Sequence, residues 1–253
     1  MKWKGRLVLV AALFCSSLAH GERLRPGQTL GQTDTMADFV FKGIVVSSTA
    51  AGTPQIHYNS DLFFGSGDTF VEKLTRFKIV SVIKGDKSED EITFRHYEDA
   101  TPQEKREGLL QVAYHFEPGH AYLVFAASSG TAGFYKQVGT GFGFKADYGV
   151  VRCANAQPVS AKTIQEIAWV ELTAMLHDKD AGDIQYAMVQ FDQLSGGLHF
   201  AADYRYGVDF QPQGVLKLIN PFLKSPDPHV AQAAAALIDR LTAHARNLDQ
   251  YRR

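Results

Sequence analysis

Apolar residues between 37 and 157 recur with the two-residue period of β-strands, and turn-rich stretches separate the runs. The first run, 39–46, is largely apolar in both registers, which is typical of a strand buried on both faces. Further strand patterns cover 70–84, 92–97, 120–126 and 134–138. Several short strands joined by turns predict a small β-barrel or a sandwich.

The longest of these patterns, 70–84, divides its apolar residues between two faces by simple alternation. Phe77, Ile79 and Ile83 fall on one face, and Val80 and Val82 fall on the other. We therefore expect each set to share one surface of the sheet.

After Pro158 the apolar period changes to that of amphipathic helices. One stripe contains Ile164, Ile167, Ala168, Leu172, Met175 and Leu176. A second helix is predicted over 184–194 and ends at the Ser-Gly-Gly sequence of 195–197. Residues 199–213 are aromatic and irregular and are interpreted as a β-hairpin.

Two further helices are predicted toward the C-terminus. Residues 215–223 are apolar and helical in period, and Pro221 predicts a kink. Asp227 is a favourable N-cap, and Pro228 suits the first position of the last helix. The buried face of that helix is expected to hold Val230, Ala234, Leu237, Ile238 and Leu241.

The chain begins with the parts of a secretory signal peptide. A basic start precedes an apolar run at 7–14, and Ser-Leu-Ala at 17–19 offers a small-x-small cleavage pattern. The apolar run is too short to span a bilayer as a helix. Residues 1–19 are therefore predicted to be a signal peptide, and the mature protein, beginning at His20, is expected to be periplasmic or secreted.

The two cysteines bear on anchoring and on disulfides. Cys15 raises the alternative of a lipoprotein, but Phe14 is bulky where such signals use a small residue, so cleavage after Ala19 is favoured. Cys153 would then be alone in the mature chain and could form no intramolecular disulfide. It is interpreted as a small buried apolar side chain, with a reactive thiol as the alternative.

The charge and the hydropathy of the sequence limit the classes of partner that we expect. The full chain of 253 residues has a formal net charge of −1, and the predicted leader removes basic residues only, so the mature chain is more acidic. No dense Lys/Arg block is present, which argues against nucleic acid as the main partner. No later apolar run is long enough to cross a bilayer, so no membrane span is expected after cleavage.

Three segments resemble strands of netrin-like domains, the OB-fold group to which tissue inhibitors of metalloproteinases belong. They are AD-apolar-VF-x-G-x-V at 37–45, the strand ending in Lys-Gly at 77–85, and F-x-x-G-x-x-YLVFA at 116–126. The resemblance spans residues 37–153 and implies an OB-like barrel.

This chain also departs from that group. A cysteine near the position of Val112 commonly pairs with one near the domain's end, which leaves Cys153 without that partner. The inhibitors chelate the protease zinc through an N-terminal cysteine, whereas the mature chain is predicted to begin with His20. That zinc-binding terminus therefore does not carry over as it stands.

Residues 215–241 resemble a HEAT-type helical hairpin, through the Leu-Lys-Ser-Pro-Asp-Pro turn and the alanine-rich helix that follows. The predicted protein is therefore α+β, with a small OB-like β-barrel over 37–157 and a HEAT-like helical segment over 158–253. Residues 20–36 are expected to form an extended arm.

The sequence offers few candidate residues for metal binding or catalysis. A terminal His20 offers an amine and an imidazole to one metal ion, and His20-Gly21 resembles the start of the copper-brace polysaccharide monooxygenases. His96, His115 and His120 could together bind a transition metal, but they are interpreted as ordinary barrel or rim residues. The carboxylate pairs Glu98/Asp99 and Glu104/Glu107 are interpreted as solvated loop residues.

These features predict an exported, non-catalytic protein-interaction module that needs no cofactor. Its sharpest form is an inhibitor of an envelope or extracellular metallopeptidase, whose cleft would receive the arm through His20, Gly21 and Glu22. Two alternatives remain open: a copper or zinc enzyme that uses His20, and a sugar- or peptide-binding component of the cell envelope.

Overall fold

The computed structural model describes residues 29–53, 55–57, 68–86, 89–99, 114–138, 150–196 and 208–251. The predicted leader and the candidate residues His20, Gly21 and Glu22 lie outside these stretches. So do Val112, Glu104 and Glu107, and the greater part of the hairpin predicted over 199–213.

Five strands close into a mixed β-barrel. The described strands are β1 (Phe39–Ala50), β2 (Gln55–His57), β3 (Asp68–Lys84), β4 (Glu91–Asp99), β5 (Ala121–Thr131), β6 (Phe134–Gln137) and β7 (Val150–Cys153). Strands β1, β3, β4, β6 and β5 are hydrogen-bonded in that order, and β5 returns to β1. Only β4 and β6 are parallel among these pairs. The predicted OB-like barrel is thereby confirmed, and β2 and β7 extend it from β3 and β5.

Strands β1 and β5 are buried on both faces, as the pattern of 39–46 predicts. Phe41 and Val124 belong to the apolar cluster inside the barrel. Val40 and Leu123 point the other way and join the core formed with the helices. Strand alternation therefore gives the molecule two apolar cores that share β1 and β5.

Strand β3 shows that strict alternation is wrong for its last residues. Ile83 packs against the helical core, while Val82 packs against the barrel interior with Phe77 and Ile79. The register against β1 slips at Val80 and again at Ile83. Each slip is a β-bulge that inserts one extra residue, so the residues beyond it exchange faces.

The described helices that follow the barrel occur in the predicted order. They are α1 (Leu30–Met36), α2 (Ile164–Leu176), α3 (Ala181–Leu194), α4 (Pro212–Ile219) and α5 (Pro228–Tyr251), with a 3₁₀ helix at Asn220–Lys224. Helix α3 begins before the predicted residue 184 because the Asp180 side chain accepts the N–H groups of Gly182 and Asp183. Asp227 accepts from His229 and Val230, which confirms its predicted role as N-cap. The four helices after the barrel confirm the predicted helical segment.

Helix α1 corrects the prediction of an extended arm over 20–36. Thr29 and Gln32 form a capping box, and Leu30 is completely buried. The Leu30 N–H also donates to both carboxylate oxygens of Asp209, at 3.0 and 2.9 Å. The last seven residues of the expected arm are thus a helix that is tied to the C-terminal half of the chain.

A buried ion pair joins the barrel to the helices. Lys42 Nζ on β1 lies 2.5 Å from Glu171 Oε1 on α2, and their side chains are only 1% and 8% exposed. The other carboxylate oxygen accepts the N–H of Ala154 at 3.1 Å, just beyond β7. One carboxylate therefore satisfies a buried lysine and a backbone group of the barrel together.

Side chains of the helical segment also cover the edge of β7. The Arg152 N–H donates to the Tyr186 hydroxyl at 3.3 Å. The Arg152 guanidinium forms an ion pair with Asp183 at 2.8 Å. Backbone donors that would otherwise form an exposed sheet edge are thus engaged by α2 and α3.

The first prediction concerns the buried ion pair. Glu171→Gln keeps an acceptor for Ala154 but leaves the Lys42 charge unbalanced, and it should lower the free energy of unfolding by about 3–5 kcal/mol. The double variant Lys42→Met/Glu171→Gln should recover most of the loss, because no buried charge remains. Urea unfolding measures the free energy of unfolding of the single and the double variant. As a control, Arg76→Gln breaks an exposed ion pair and should cost less than about 1 kcal/mol. Additive losses in the double variant would contradict the pairing.

Candidate functional site on the outer face of β3, β4 and β6

The helices cover one side of the barrel and leave another side accessible. In the described stretches, their principal strand contacts are with β5 and β7. The outward residues of β3, β4 and β6 are exposed or half-buried. Among the described residues, this second side of the barrel is therefore the one that no helix covers.

Strand alternation defines the residues of this surface, which we call the outer face. Phe77, Phe94 and Tyr135 contact the cluster inside the barrel, so their neighbours along each strand point outward. The outer face consists of Leu74, Arg76, Lys78, Thr93, Arg95, Tyr97, Phe134 and Lys136.

Two basic residues are neighbours at the centre of the outer face. Arg95 and Lys136 are partners in the parallel register of β4 and β6, and adjacent strands lie about 4.8 Å apart. Within the described stretches, no ion pair joins either residue to a carboxylate. Like charges at paired positions destabilise a sheet. The two strands thus place two positive charges side by side on the outer face.

The ends of the outer face carry acidic residues. Arg76 Nη2 forms an ion pair with Glu91 Oε2 at 2.6 Å, and Glu91 is also the register partner of Lys78. At the opposite end, Glu72 is the register partner of Tyr97. Carboxylates thus lie toward both ends of the outer face.

Apolar side chains accompany the two central cations. Leu74 is the register partner of Arg95. Phe134 lies two residues before Lys136 on β6, on the same face of the strand. Both are half-buried, and neither belongs to the two apolar clusters of the described residues. Partly exposed apolar groups beside charged ones are typical of a surface that binds another molecule.

This combination suits binding. Arginine can hold a carboxylate through two parallel hydrogen bonds, and the apolar neighbours can cover the stem of a bound side chain. OB-fold barrels commonly bind ligands on the face of their second and third strands, which here are β3 and β4.

The histidines that the sequence singled out do not converge. His115 Nδ1 lies 2.7 Å from Glu98 Oε1, and His120 Nδ1 lies 3.3 Å from Glu117 Oε2. His96 is completely buried inside the barrel. In the stretches the structure describes, no three His, Cys, Asp or Glu side chains are grouped as a metal site requires.

His96 belongs to a chain of polar groups that reaches from the barrel interior to β1. Its Nε2 lies 2.8 Å from Thr75 Oγ1, and Thr75 Oγ1 lies 2.8 Å from Ser48 Oγ. Burial lowers the pKa of His96 to about 4, against opposing effects of the Tyr97 backbone and the Glu98 charge. His96 is therefore neutral at physiological pH.

Glu98 lies on β4, so its interpretation as a loop residue is wrong. Its carboxylate contacts His115 and also lies 3.0 Å from Lys73 Nζ. Burial alone would raise the pKa of Glu98, but hydrogen bonds with His115 and Lys73 lower it below its usual value. Glu98 thus joins β3, β4 and the segment that follows Tyr114.

Cys153 is buried, which confirms its interpretation as a small core side chain. Burial raises the pKa of its thiol far above the usual range, so the thiolate is strongly disfavoured. Across the described helices, none combines the length and the apolar character needed to cross a membrane.

No protein-family model and no curated protein matches this chain. The functional conclusion therefore depends on the geometry of the outer face.

Sequence reasoning missed the central residues of the outer face. Arg95 and Lys136 lie on separate predicted strands, and only the closure of the barrel makes them neighbours. The absence of a dense Lys/Arg block was therefore an incomplete test for a basic surface. A usable signal was present in the alternation of Phe94, Arg95 and His96, which gives Arg95 an outward position.

The second prediction concerns His96. Between pH 6.5 and 4 the unfolded chain binds a proton on this residue that the folded chain does not bind. The free energy of unfolding should therefore fall with decreasing pH in this range, by about 3 kcal/mol from this group. Urea unfolding at several pH values measures this. The free energy of unfolding of His96→Gln should not show the part of the decrease that comes from His96. The exposed His177→Gln should keep it, and identical pH profiles for wild type and His96→Gln would refute the assignment.

Proposed function

We propose that this protein is an exported, non-catalytic binding module that holds another protein on its outer face. The observation that supports this most directly is the neighbouring pair Arg95 and Lys136, which lacks a carboxylate counter-ion in the described stretches. Leu74 and Phe134 add apolar contact area beside the pair. Bound protein would supply the missing charge and cover the apolar groups.

Three buried polar groups have partners within the molecule, which supports a structural role for each of them. Glu171 binds Lys42, Asp209 binds the N-terminus of α1, and His96 Nε2 binds Thr75. Their contacts join separate elements of the fold.

A finer proposal is that the partner is a metallopeptidase of the envelope or the extracellular space. The netrin-like resemblance of residues 37–153 supports it, and the OB-like strand order agrees with that resemblance. The arm before Thr29, including His20, Gly21 and Glu22, would enter the cleft of the target. Because α1 is tied to Asp209, the arm starts from a fixed point on the molecule.

The third prediction tests the outer face in the organism that produces the protein. A photo-crosslinking amino acid at Thr93 should yield a defined adduct with another protein, because Thr93 lies beside Arg95 on the outer face. The same group at Ala236, on the exposed side of α5, is the matched control and should yield none. Mass spectrometry of the adducts is the readout. No adduct at Thr93, or the same adducts at both positions, would remove the proposed function.

The fourth prediction separates inhibition from metal chemistry at the predicted N-terminus. Protein processed to His20 should inhibit a metallopeptidase from the same compartment, and a tag fused ahead of His20 should abolish inhibition because it blocks entry into the cleft. Peptide hydrolysis measures this, with a C-terminal tag as the control. Equal potency of both tagged proteins would exclude insertion of the arm.

Stoichiometric copper or zinc binding that His20→Ala removes would favour the metal-enzyme alternative.

A further inference from the structure

We propose that the segment bound on the outer face is a peptide that presents carboxylate side chains flanked by apolar residues. This inference rests on the proposed binding function and names the chemistry of its partner. Arg95 and Lys136 hold the carboxylates, and Leu74 and Phe134 contact the apolar residues.

The two neighbouring cations favour an anionic ligand. Arg95 and Lys136 repel each other at paired positions, and both are half-buried, so water screens them less than it screens fully exposed charges. A carboxylate placed between them relieves the repulsion and forms charge-assisted hydrogen bonds with both. The bound state is therefore stabilised both by the relief of repulsion and by the new hydrogen bonds.

The acidic residue at one end of the outer face limits the length of an anionic ligand. Glu72 is the register partner of Tyr97 at that end, where it repels further negative charge, whereas Glu91 at the other end is already paired with Arg76. A nucleic acid presents a phosphate at every nucleotide and would meet the Glu72 carboxylate. A peptide with one or two acidic side chains places its charge only where the cations are.

The apolar groups of the outer face lie beside the cations. Leu74 lies on β3 in the same cross-strand row as Arg95 and Lys136, and Phe134 lies in the neighbouring row with Arg76 and Thr93. Side chains two positions apart in an extended peptide point to the same face, as do those of the strands beneath it. Acidic and apolar residues two positions apart would thus contact the cations and the apolar groups in turn.

The experiment uses the mature protein and fluorescein-labelled peptides of about ten residues. One peptide carries a Glu-Ser-Leu-Ser-Glu-Ser-Leu centre between Gly and Ser residues, so that its Glu and Leu side chains share one face. Its matched partner carries Gln in place of each Glu. Fluorescence anisotropy measures both, together with a labelled single-stranded DNA of similar length. The Glu peptide should bind at concentrations below about 1 mM and at least about tenfold more tightly than the Gln peptide.

Two double variants test the assignment to the outer face. Arg95→Gln/Lys136→Gln should weaken binding of the Glu peptide by about tenfold or more, and its thermal unfolding temperature should be unchanged or higher because a repulsion is removed. Lys217→Gln/Arg246→Gln removes two exposed charges from α4 and α5 and should leave binding unchanged.

Three outcomes of the binding measurements would overturn the inference. They are equal binding of the Glu and Gln peptides or of neither, equal losses in the two double variants, and tighter binding of DNA than of the Glu peptide through Arg95 and Lys136. A Thr93 adduct that persists in Arg95→Gln/Lys136→Gln would leave the binding function standing while refuting the acidic chemistry. Absence of any Thr93 adduct would instead remove the binding function itself.

Discussion

The ion pair between Lys42 and Glu171 fixes where α2 packs on the barrel. Lys42 lies on a strand whose two faces are both covered, so its ammonium group cannot reach water. Its counter-charge comes from α2, and the same carboxylate binds the Ala154 N–H at the end of β7. Since an unpaired buried charge costs several kcal/mol, α2 cannot slide along the barrel without losing both interactions.

This attachment also determines which barrel surface remains available. The helices occupy the side of β1, β5 and β7, and Tyr186 and Asp183 engage the edge of β7. The opposite side keeps its outward side chains accessible to another molecule. The position of the outer face is thus a consequence of how the two cores share β1 and β5.

Much of the architecture could be predicted from local periodicity, because the two-faced strand 39–46 and the stripe from Ile164 to Leu176 are patterns within single elements. Interactions between distant segments were missed. Helix α1 depends on Asp209, the bulges of β3 depend on pairing with β1, and the Arg95–Lys136 pair depends on barrel closure. Glu171 offered a detectable signal, since it interrupts an otherwise apolar helical stripe.

The tie between Leu30 and Asp209 joins groups that are 179 residues apart. A chain that emerges N-terminus first can assemble the barrel before this carboxylate has appeared, because the strands precede it in sequence. The two hydrogen bonds from the Leu30 N–H to Asp209 can therefore form only after nearly the whole polypeptide has been delivered. A chain truncated before residue 209 would never form them.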